Sequence, residues 1–302
     1  MRIIKPSFEI WDQEEGLEGV YKQIERAGRV CYKSEDKITE NSAKEFVERM
    51  IKSGHGAMLE HGTVYLHGSD NFAGGLHLNN YKKSPYSRVN IIHNFMTGTD
   101  HIYITTNYRV LVENDWLNDL KYICEPTEYH AKRITVKFIC DRGVSHEFVR
   151  HRVFSFAQES TRYCNYSKDK FGNEITYILP IWSTMPVGEY EVDCIALSKI
   201  GQKEREDYTP DEQFIEAITN AEWNYFHLLQ LGWTPQQARA VLPNSLKTEL
   251  VMTGFISDWE HFFKLRDAGN AHPQARELAH PLHMEFLRRN YLVDLYDEAN
   301  PD

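Results

Sequence analysis

The chain has 302 residues, of which 41% are hydrophobic, 13% aromatic and 26% charged. This composition is ordinary for a folded globular protein and too apolar for a disordered one, and the chain is long enough for a large core without disulfides. The formal net charge of −10 excludes the basic surplus that a nonspecific nucleic-acid binder needs against a phosphate backbone. A small anionic ligand remains compatible with it.

The cysteines and the N-terminal segment indicate the cellular compartment in which the protein is expected. The five cysteines are odd in number and include no C-x-x-C pair, so neither a disulfide framework nor a zinc ribbon is indicated. Lys5, Pro6, Glu9 and Asp12 interrupt the N-terminal segment, and no run approaches the roughly 18 apolar residues of a membrane span. We therefore expect a soluble, cytoplasmic protein that binds neither membrane nor nucleic acid.

The first third of the chain predicts a helix and two strands. The capping-box pattern "SAKE" at 42–45 starts a helix that ends near His55. Alternation at 63–67 predicts a strand, and "HIYITTNYRVLV" at 101–112 predicts another. Since this is the only clear strand within 68–130, we expect an inserted subdomain there, within a single domain that spans the whole chain.

The second half mixes both element types. "RITVKFIC" at 133–140 and "KTELVMTG" at 247–254 predict strands, and a helix is expected to begin near Ser145 and lead into the loop that follows it. Three further helices are predicted from capping patterns at 209–212 ("TPDE"), 234–237 ("TPQQ") and 257–260 ("SDWE"). The order of elements indicates an α+β fold.

The stretch "RHRVFSFAQESTRY", residues 150–163, concentrates positive charge in an acidic chain. Arginines that converge with hydroxyls and backbone N–H groups form a site for a phosphate or a ring carbonyl, which suits Arg150, Ser160, Thr161 and Arg162. The alternative is a solvated helix face or a set of ion pairs with the 44 acidic residues. The cluster by itself leaves both interpretations open.

Other catalytic patterns fit poorly. In "HEFVRH", His146 and His151 are five residues apart and thus about 140° apart on a helix, so both cannot face one zinc ion, and we expect no metal site. Ser160 lies in no G-x-S-x-G turn and its neighbours are cationic, so a hydrolase triad has little support. Neither a Rossmann glycine motif nor a P-loop occurs, so a nucleotide would be held by side chains.

The motif at 150–162 reads R-H-R-x7-S-x-R and resembles the signature of the flavin-dependent thymidylate synthases. Five further segments resemble blocks of that family in the same order: 27–34, 53–61, 163–168, 238–243 and 258–266. The resemblance covers about two thirds of the chain and leaves out most of 68–130 and the region near 183–207.

The resemblance implies a reaction and a fold. In this family dUMP, methylenetetrahydrofolate and NADPH give dTMP and tetrahydrofolate, and bound FAD carries the hydride. The implied architecture is a central mixed or antiparallel sheet with helices packed on it, in a homotetramer with shared active sites. None of the five cysteines follows a proline, so no cysteine nucleophile is evident. Activation would come from Arg266, which by similarity favours the N3-deprotonated uracil and makes C5 nucleophilic.

Carried over residue by residue, the resemblance implies two overlapping sets. The implied dUMP site comprises Glu147, Arg150, Gln158, Ser160, Thr161, Arg162, Arg239 and Arg266. The implied FAD site comprises His55, Ala57, Glu60, Arg150, His151, Arg152, Gln158, Ser257 and His261. Arg266 and Ser160 are the implied catalytic residues, and Ser160 is either a nucleophile or a positioning hydroxyl. Each has a structural alternative: Glu60 and Arg239 could form ion pairs, and His261 could be an ordinary surface histidine.

Three positions depart from the family pattern. Glu147 replaces a frequent glutamine, Ala57 replaces a hydroxyl residue, and 255–257 lacks a common Asn-x-Arg. Glu147 and the insertion motivate a rival interpretation, a flavoprotein that acts on a different pyrimidine nucleotide. A non-enzymatic nucleotide-binding module is the other alternative, and it would predict damage to the arginine set, which is intact. In the enzyme interpretation, the insertion at 68–130 would reshape either folate access or an intersubunit surface, and the sequence does not say which.

Overall fold

The computed structural model describes residues 1–69, 77–168, 171–190 and 207–292. In these ranges the strands are β1 (Arg2–Ile4), β2 (Ser7–Trp11), β3 (Thr63–Ser69), β4 (Arg88–Asn94), β5 (Thr99–Asn107), β6 (Arg133–Asp141), β7 (Ser155–Gln158), β8 (Thr176–Ile178), β9 (Gly188–Glu189) and β10 (Lys247–Phe255). The α-helices are α1 (Gly16–Tyr32), α2 (Ser42–Lys52), α3 (Gly56–Leu59), α4 (Leu78–Lys83), α5 (Tyr108–Glu113), α6 (Arg142–Phe148), α7 (Pro210–Gln230), α8 (Pro235–Ala238), α9 (Ile256–Arg266) and α10 (Pro273–Arg288).

A four-stranded antiparallel sheet with the order β2-β6-β10-β7 lies at the centre of the fold. β6 and β10 pair along their full length, from Arg133 opposite Phe255 to Asp141 opposite Lys247. β7 is an edge strand, and it carries Ser155 to Gln158 from the middle of the arginine motif. The motif therefore lies at an open edge of the sheet.

Each face of this sheet is covered by helices. On one face, Val136 and Phe138 of β6 pack with Trp259, Phe262 and Phe286 of α9 and α10, and all five are fully buried. Burial of each such side chain contributes about 1.5–3 kcal/mol relative to exposure. On the other face, α1 and α3 pack against β7 and β10. Neighbouring side chains of β7 therefore lie on opposite faces: Phe156 packs on the side of α9 and α10, and Ala157 packs on the side of α1 and α3.

Two smaller sheets flank the central one. Strands β3, β5 and β4 form an antiparallel sheet that shares a core with α1 and α2, in which Ile24, Phe46 and Ile104 are buried. Residues 77–123 thus pack onto the rest of the chain. That 68–130 is an insertion remains a prediction, and 70–76 lie outside the described residues. Strands β8, β1 and β9 form the third sheet, whose core includes side chains of α7.

The α+β class is confirmed, and several predicted elements have the expected bounds. The predicted strands correspond to β3, β6 and β10. Thr209 forms its capping box, because it bonds the N–H of Glu212 while the Glu212 carboxylate accepts from the N–H of Thr209 at 2.9 Å. The Gln237 side chain likewise accepts from the N–H of Thr234 at 2.8 Å.

Two predicted capping boxes are wrong in detail. Ser42 lies inside α2 rather than capping it, and its hydroxyl donates to Glu25 at 2.7 Å. In "SDWE" the expected N-cap is Ser257, but the helix begins two residues earlier: Phe255 is the N-cap, and the Asp258 carboxylate accepts its N–H at 2.9 Å. In both cases, the hydrogen-bond partner in the folded chain differs from the one that the capping-box spacing predicts.

Three element predictions needed correction. The strand predicted for 101–112 ends at Asn107, whose side chain caps α5 by accepting from the N–H of Val110. β4 was missed because its sequence is largely polar and exposed. α6 begins at Arg142, where Asp141 caps it, and ends before Arg150. The arginine motif therefore lies in the segment after α6 and not on the helix itself. Among the described helices, none combines the length and apolarity that a membrane crossing requires.

Candidate active site

The side chains of Arg266, Glu147 and His151 meet where α9 and α6 end. The Arg266 guanidinium donates from Nη1 to the Glu147 carboxylate, from Nη2 to the Glu147 carbonyl at 2.8 Å, and from Nε to His151 Nε2 at 3.0 Å. The Arg266 side chain is only 15% exposed. Three charge-assisted hydrogen bonds from two directions fix the plane of the guanidinium.

His151 acts in this cluster as a neutral acceptor. Burial, with the charges of Arg266 and His261 nearby, lowers the pKa of His151 to about 4. The imidazole is therefore uncharged at neutral pH, and because Nε2 accepts from Arg266, its proton lies on Nδ1. His151 orients the guanidinium without adding a competing positive charge.

The other two residues of the R-H-R triplet point to solvent. The Arg150 side chain is 73% exposed and its Nη1 lies 3.9 Å from Glu147 Oε1. Arg152 is exposed as well. An exposed pair of this length adds little stability. Both side chains are therefore accessible from solvent.

A second group of predicted residues lies just beyond the end of β7. Arg239 donates from Nη1 to Thr161 Oγ1 at 3.2 Å, and Arg162 donates from Nε to the Gln236 side chain at 3.2 Å. Ser160 Oγ accepts the backbone N–H of Arg162 at 3.3 Å. The structure thus brings Ser160, Thr161, Arg162 and Arg239 together.

Gln158 connects the two groups. Its Nε2 donates to Ser145 Oγ of α6 at 2.9 Å and to Thr248 Oγ1 of β10 at 3.2 Å. Ser145 lies two residues before Glu147 on the same helix. Gln158 therefore fixes the edge strand to the helix that carries Glu147, and both of its amide N–H groups are used within the chain.

A buried ion-pair network under Ser160 was missed from the sequence. Lys247 Nζ lies 2.7 Å from both Glu159 and Glu249, and Lys33 Nζ lies 2.5 Å from Glu249. Burial by itself would raise the pKa of Glu249, but Lys247, Lys33 and Lys137 outweigh it and hold that pKa well below its usual range. The available signal was the inward-facing Lys247 and Glu249 in a strand of otherwise apolar character. The network holds the backbone next to Ser160.

The predicted FAD residues fall on two faces of the central sheet. His151 and His261 lie on the α9 face, with ring centroids 6.1 Å apart. His55, Ala57 and Glu60 lie in and around α3, which packs against the other face of β7. Glu60 also pairs with Arg109 at 2.5 Å, as its structural alternative expected. One chain does not bring the whole FAD set together.

Ser257 lies beside a cavity of about 530 Å³ at the start of α9. Its lining includes the rings of Phe255 and Tyr291 and the cationic side chains of Arg88 and Lys132. The Arg88 guanidinium carbon lies 4.5 Å from the centre of the Phe255 ring. Aromatic rings and cations suit an anionic dinucleotide, but the carboxylates of Glu128 and Glu260 line the same cavity and balance the two cations, so the lining as a whole does not select for FAD. Sequence reasoning missed Arg88, because β4 itself was missed.

A candidate metal site is not found in the described ranges, where no group of three or more His, Cys, Asp or Glu side chains could hold a metal ion. His146, the other histidine of "HEFVRH", is exposed, whereas His151 is buried.

Solved structures provide one comparison. A UMP/dUMP methylase from Streptomyces cacaoi, solved with 5-Br UMP bound, is 16% identical with a TM-score of 0.42, over 95% of this chain and 92% of that one.

Curated relatives give closer matches. The flavin-dependent thymidylate synthase of Corynebacterium aurimucosum is 25% identical over 272 residues, which cover 89% of this chain and 76% of that protein. The same-named proteins of Mycolicibacterium gilvum and Pyrococcus abyssi are 32% and 28% identical, over about half of each chain. A profile of the family described as thymidylate synthase complementing protein matches residues 126–289, which include the whole R-H-R-x7-S-x-R motif. The chain belongs to this family of thymidylate synthase complementing proteins.

Proposed function

We propose that the chain is a flavin-dependent thymidylate synthase with that family's fold. It transfers the methylene of methylenetetrahydrofolate to C5 of dUMP and reduces it through FADH2, regenerated by NADPH, to give dTMP and tetrahydrofolate. The observation that carries the proposal is the fixed Arg266 guanidinium beside the arginine motif of a chain in this family. Such a donor set stabilises negative charge as it develops on a pyrimidine ring.

The ring-binding step follows from the Arg266 cluster. Arg266 hydrogen bonds to a ring carbonyl or to N3 and stabilises the negative charge that makes C5 nucleophilic. His151, held neutral by burial, keeps the guanidinium in place without sharing its charge. Thr161, Arg162 and Arg239 bind the phosphate in this proposal, because they present hydroxyl and guanidinium donors together.

A cysteine adduct finds no support among the described cysteines. Burial raises the pKa of Cys31 and of Cys124 to about 11, and it raises the pKa of the fully buried Cys140 further. A thiol with so high a pKa supplies little thiolate at neutral pH. Cys194 lies outside the described residues. Reduced FAD, when bound, would supply the hydride that turns the transferred methylene into a methyl group.

The proposed assembly is a cytoplasmic homotetramer with shared active sites. Its support is the division of the predicted FAD set between two faces of the sheet, with His55 to Glu60 on one and His261 on the other. The exposure of Arg150 and Arg152 supports it too. In this arrangement, a second copy supplies the part of the pocket that each chain lacks.

Flavin content and tritium release test the proposal. The purified protein is expected to absorb as a flavoprotein, or to do so after addition of FAD, and to convert dUMP into dTMP when methylenetetrahydrofolate and NADPH are present. Tritium at C5 of dUMP should be released to water in step with dTMP. A protein that neither holds nor gains flavin refutes the proposal. Tritium release without NADPH-dependent dTMP would favour a flavoprotein that acts on another pyrimidine nucleotide.

A further inference from the structure

The Arg266 guanidinium is carried on the last residue of a helix. α9 ends at Arg266, and Asp267 is its C-cap. The last carbonyl groups of a helix have no partner within the helix, and a helix end opens more readily than its middle. The bonds to Glu147 and His151 hold the guanidinium, but they do not hold the backbone that carries it. A guanidinium with a fixed plane therefore needs a second anchor at this helix end.

Asp267 provides such an anchor, through donors that all come from α10. Its carboxylate accepts from Nδ1 of His280 at 2.9 Å and from Nδ1 of His283 at 2.9 Å. Arg276 donates from Nε to the Asp267 carbonyl at 3.1 Å, and the same Nε lies 3.4 Å from the carboxylate. The Asp267 side chain is only 12% exposed, so water competes little for these acceptors. Both the side chain and the backbone of Asp267 are thus bonded to α10.

Apolar packing makes α10 a firm support for this anchor. Leu282 and Phe286 of α10 are fully buried, in the core that also contains Trp259 of α9. The His283 ring stacks on Phe263 of α9, with ring centroids 4.6 Å apart and an angle of 12° between the planes. This stack orients the same imidazole that donates to Asp267. Packing and hydrogen bonds therefore join the two helices at the end of α9 that carries Arg266.

We propose that Asp267 is a positioning residue for Arg266, and that it acts by fixing the end of α9 to α10. The inference rests on the proposed function, because it takes Arg266 to act on the pyrimidine ring. Asp267 follows Arg266 directly, so a movement of its backbone moves the Arg266 Cα as well. A misplacement of about 1 Å can lower a reaction rate about a hundredfold. Glu147 and His151 hold the side chain of Arg266, and α10 holds its backbone.

The variant Asp267→Asn tests this inference. Asparagine has nearly the same size but only one acceptor oxygen, and its amide places a donor against a histidine donor. With all substrates saturating, kcat for dTMP formation should fall at least about tenfold, while flavin absorbance stays unchanged. His280→Ala is a milder second variant, because this side chain is 51% exposed and its loss leaves the core intact. It should lower kcat about threefold.

A matched control removes another carboxylate that contacts α10 side chains. Glu285 accepts from Nε of Arg288 at 2.7 Å and from Nε of Arg289 at 2.8 Å, and it makes no hydrogen bond to Asp267. Glu285→Gln should therefore keep the wild-type kcat. Thermal unfolding of the control and of Asp267→Asn measures the stability that each has lost.

A double-mutant cycle separates positioning from a general loss of packing. If Asp267 acts through Arg266, then Asp267→Asn added to Arg266→Ala should change the residual kcat by less than about twofold. A purely structural role would lower kcat by the same factor in both backgrounds.

The inference is wrong if Asp267→Asn and His280→Ala both keep the wild-type kcat, or if Glu285→Gln loses as much as Asp267→Asn. It is also wrong if the effects of Asp267→Asn and Arg266→Ala multiply. In these cases the proposed function stands, since the wild type still forms dTMP. A wild-type protein that forms no dTMP refutes the proposed function and the inference together.

Discussion

The burial of His61 predicts a loss of stability in mild acid. His61 follows α3, is 0% exposed, and its Nδ1 lies 2.8 Å from Thr253 Oγ1. Burial, with a contribution from nearby Arg133, lowers the pKa of His61 from 6.5 to about 3. A charged imidazole in this place would lose its hydration without gaining an anionic partner.

The direction of this pH effect follows from proton binding at His61 in the folded and the unfolded chain. Between pH 6.5 and pH 3 the unfolded chain binds a proton at His61 and the folded chain does not, so the free energy of unfolding falls as the pH drops through this window. One pKa unit corresponds to about 1.4 kcal/mol. From pH 7 to pH 5, His61 by itself should cost about 2 kcal/mol of stability, which is a large part of a typical total.

Urea unfolding of wild type and His61→Gln at pH 7 and pH 5 measures this contribution. The variant is expected to be less stable at pH 7, yet its loss on going to pH 5 should be about 2 kcal/mol smaller. The exposed His227 provides a control, since His227→Gln should show the wild-type loss. Equal losses in wild type and His61→Gln would refute the reasoning, because His61 would then titrate alike in both states.

Three further predictions concern the site and its support. Arg266→Ala should lower kcat by at least about a hundredfold with flavin absorbance retained, and equal loss of both would contradict its assignment to the ring. Thr161→Val removes the hydroxyl that accepts from Arg239 at 3.2 Å, so KM for dUMP should rise about tenfold with flavin content unchanged; an unaltered KM would argue against a phosphate role. Gly254→Ala places a methyl group 2.6 Å from the buried Phe154 ring, which should cost about 1–3 kcal/mol in urea unfolding. Stability equal to wild type would show that the ring can move aside.

Local patterns were sufficient for much of the secondary structure. The capping box at Thr209 and the alternation of β6 depend on neighbours within a few residues, so the sequence predicts them well. β4 was not predicted, because both of its faces are largely exposed and an exposed strand has no apolar alternation. The strand predicted for 101–112 was too long, because the cap at Asn107 was not recognised.

The site residues also divide into those that the sequence identified and those whose contacts only the fold created. The motif and its family resemblance identified Arg150, Ser160 and Arg162 as candidates, and their roles remain predictions. Partners that come from distant segments were not accessible in this way. Arg109 pairs with Glu60 across 49 residues, and Lys33 pairs with Glu249 across 216. Nothing in the spacing of a single segment indicates such contacts.

By itself, the sequence determined an α+β chain, an arginine-rich motif at its centre and the absence of a proline-preceded cysteine. Only the tertiary structure decided that Arg266 would bond to Glu147 across 119 residues and to a neutral His151 across 115. The physical reason is that periodicity and capping act over one or two turns. The charge of a side chain and the orientation of its donors are set by whatever the fold packs against it.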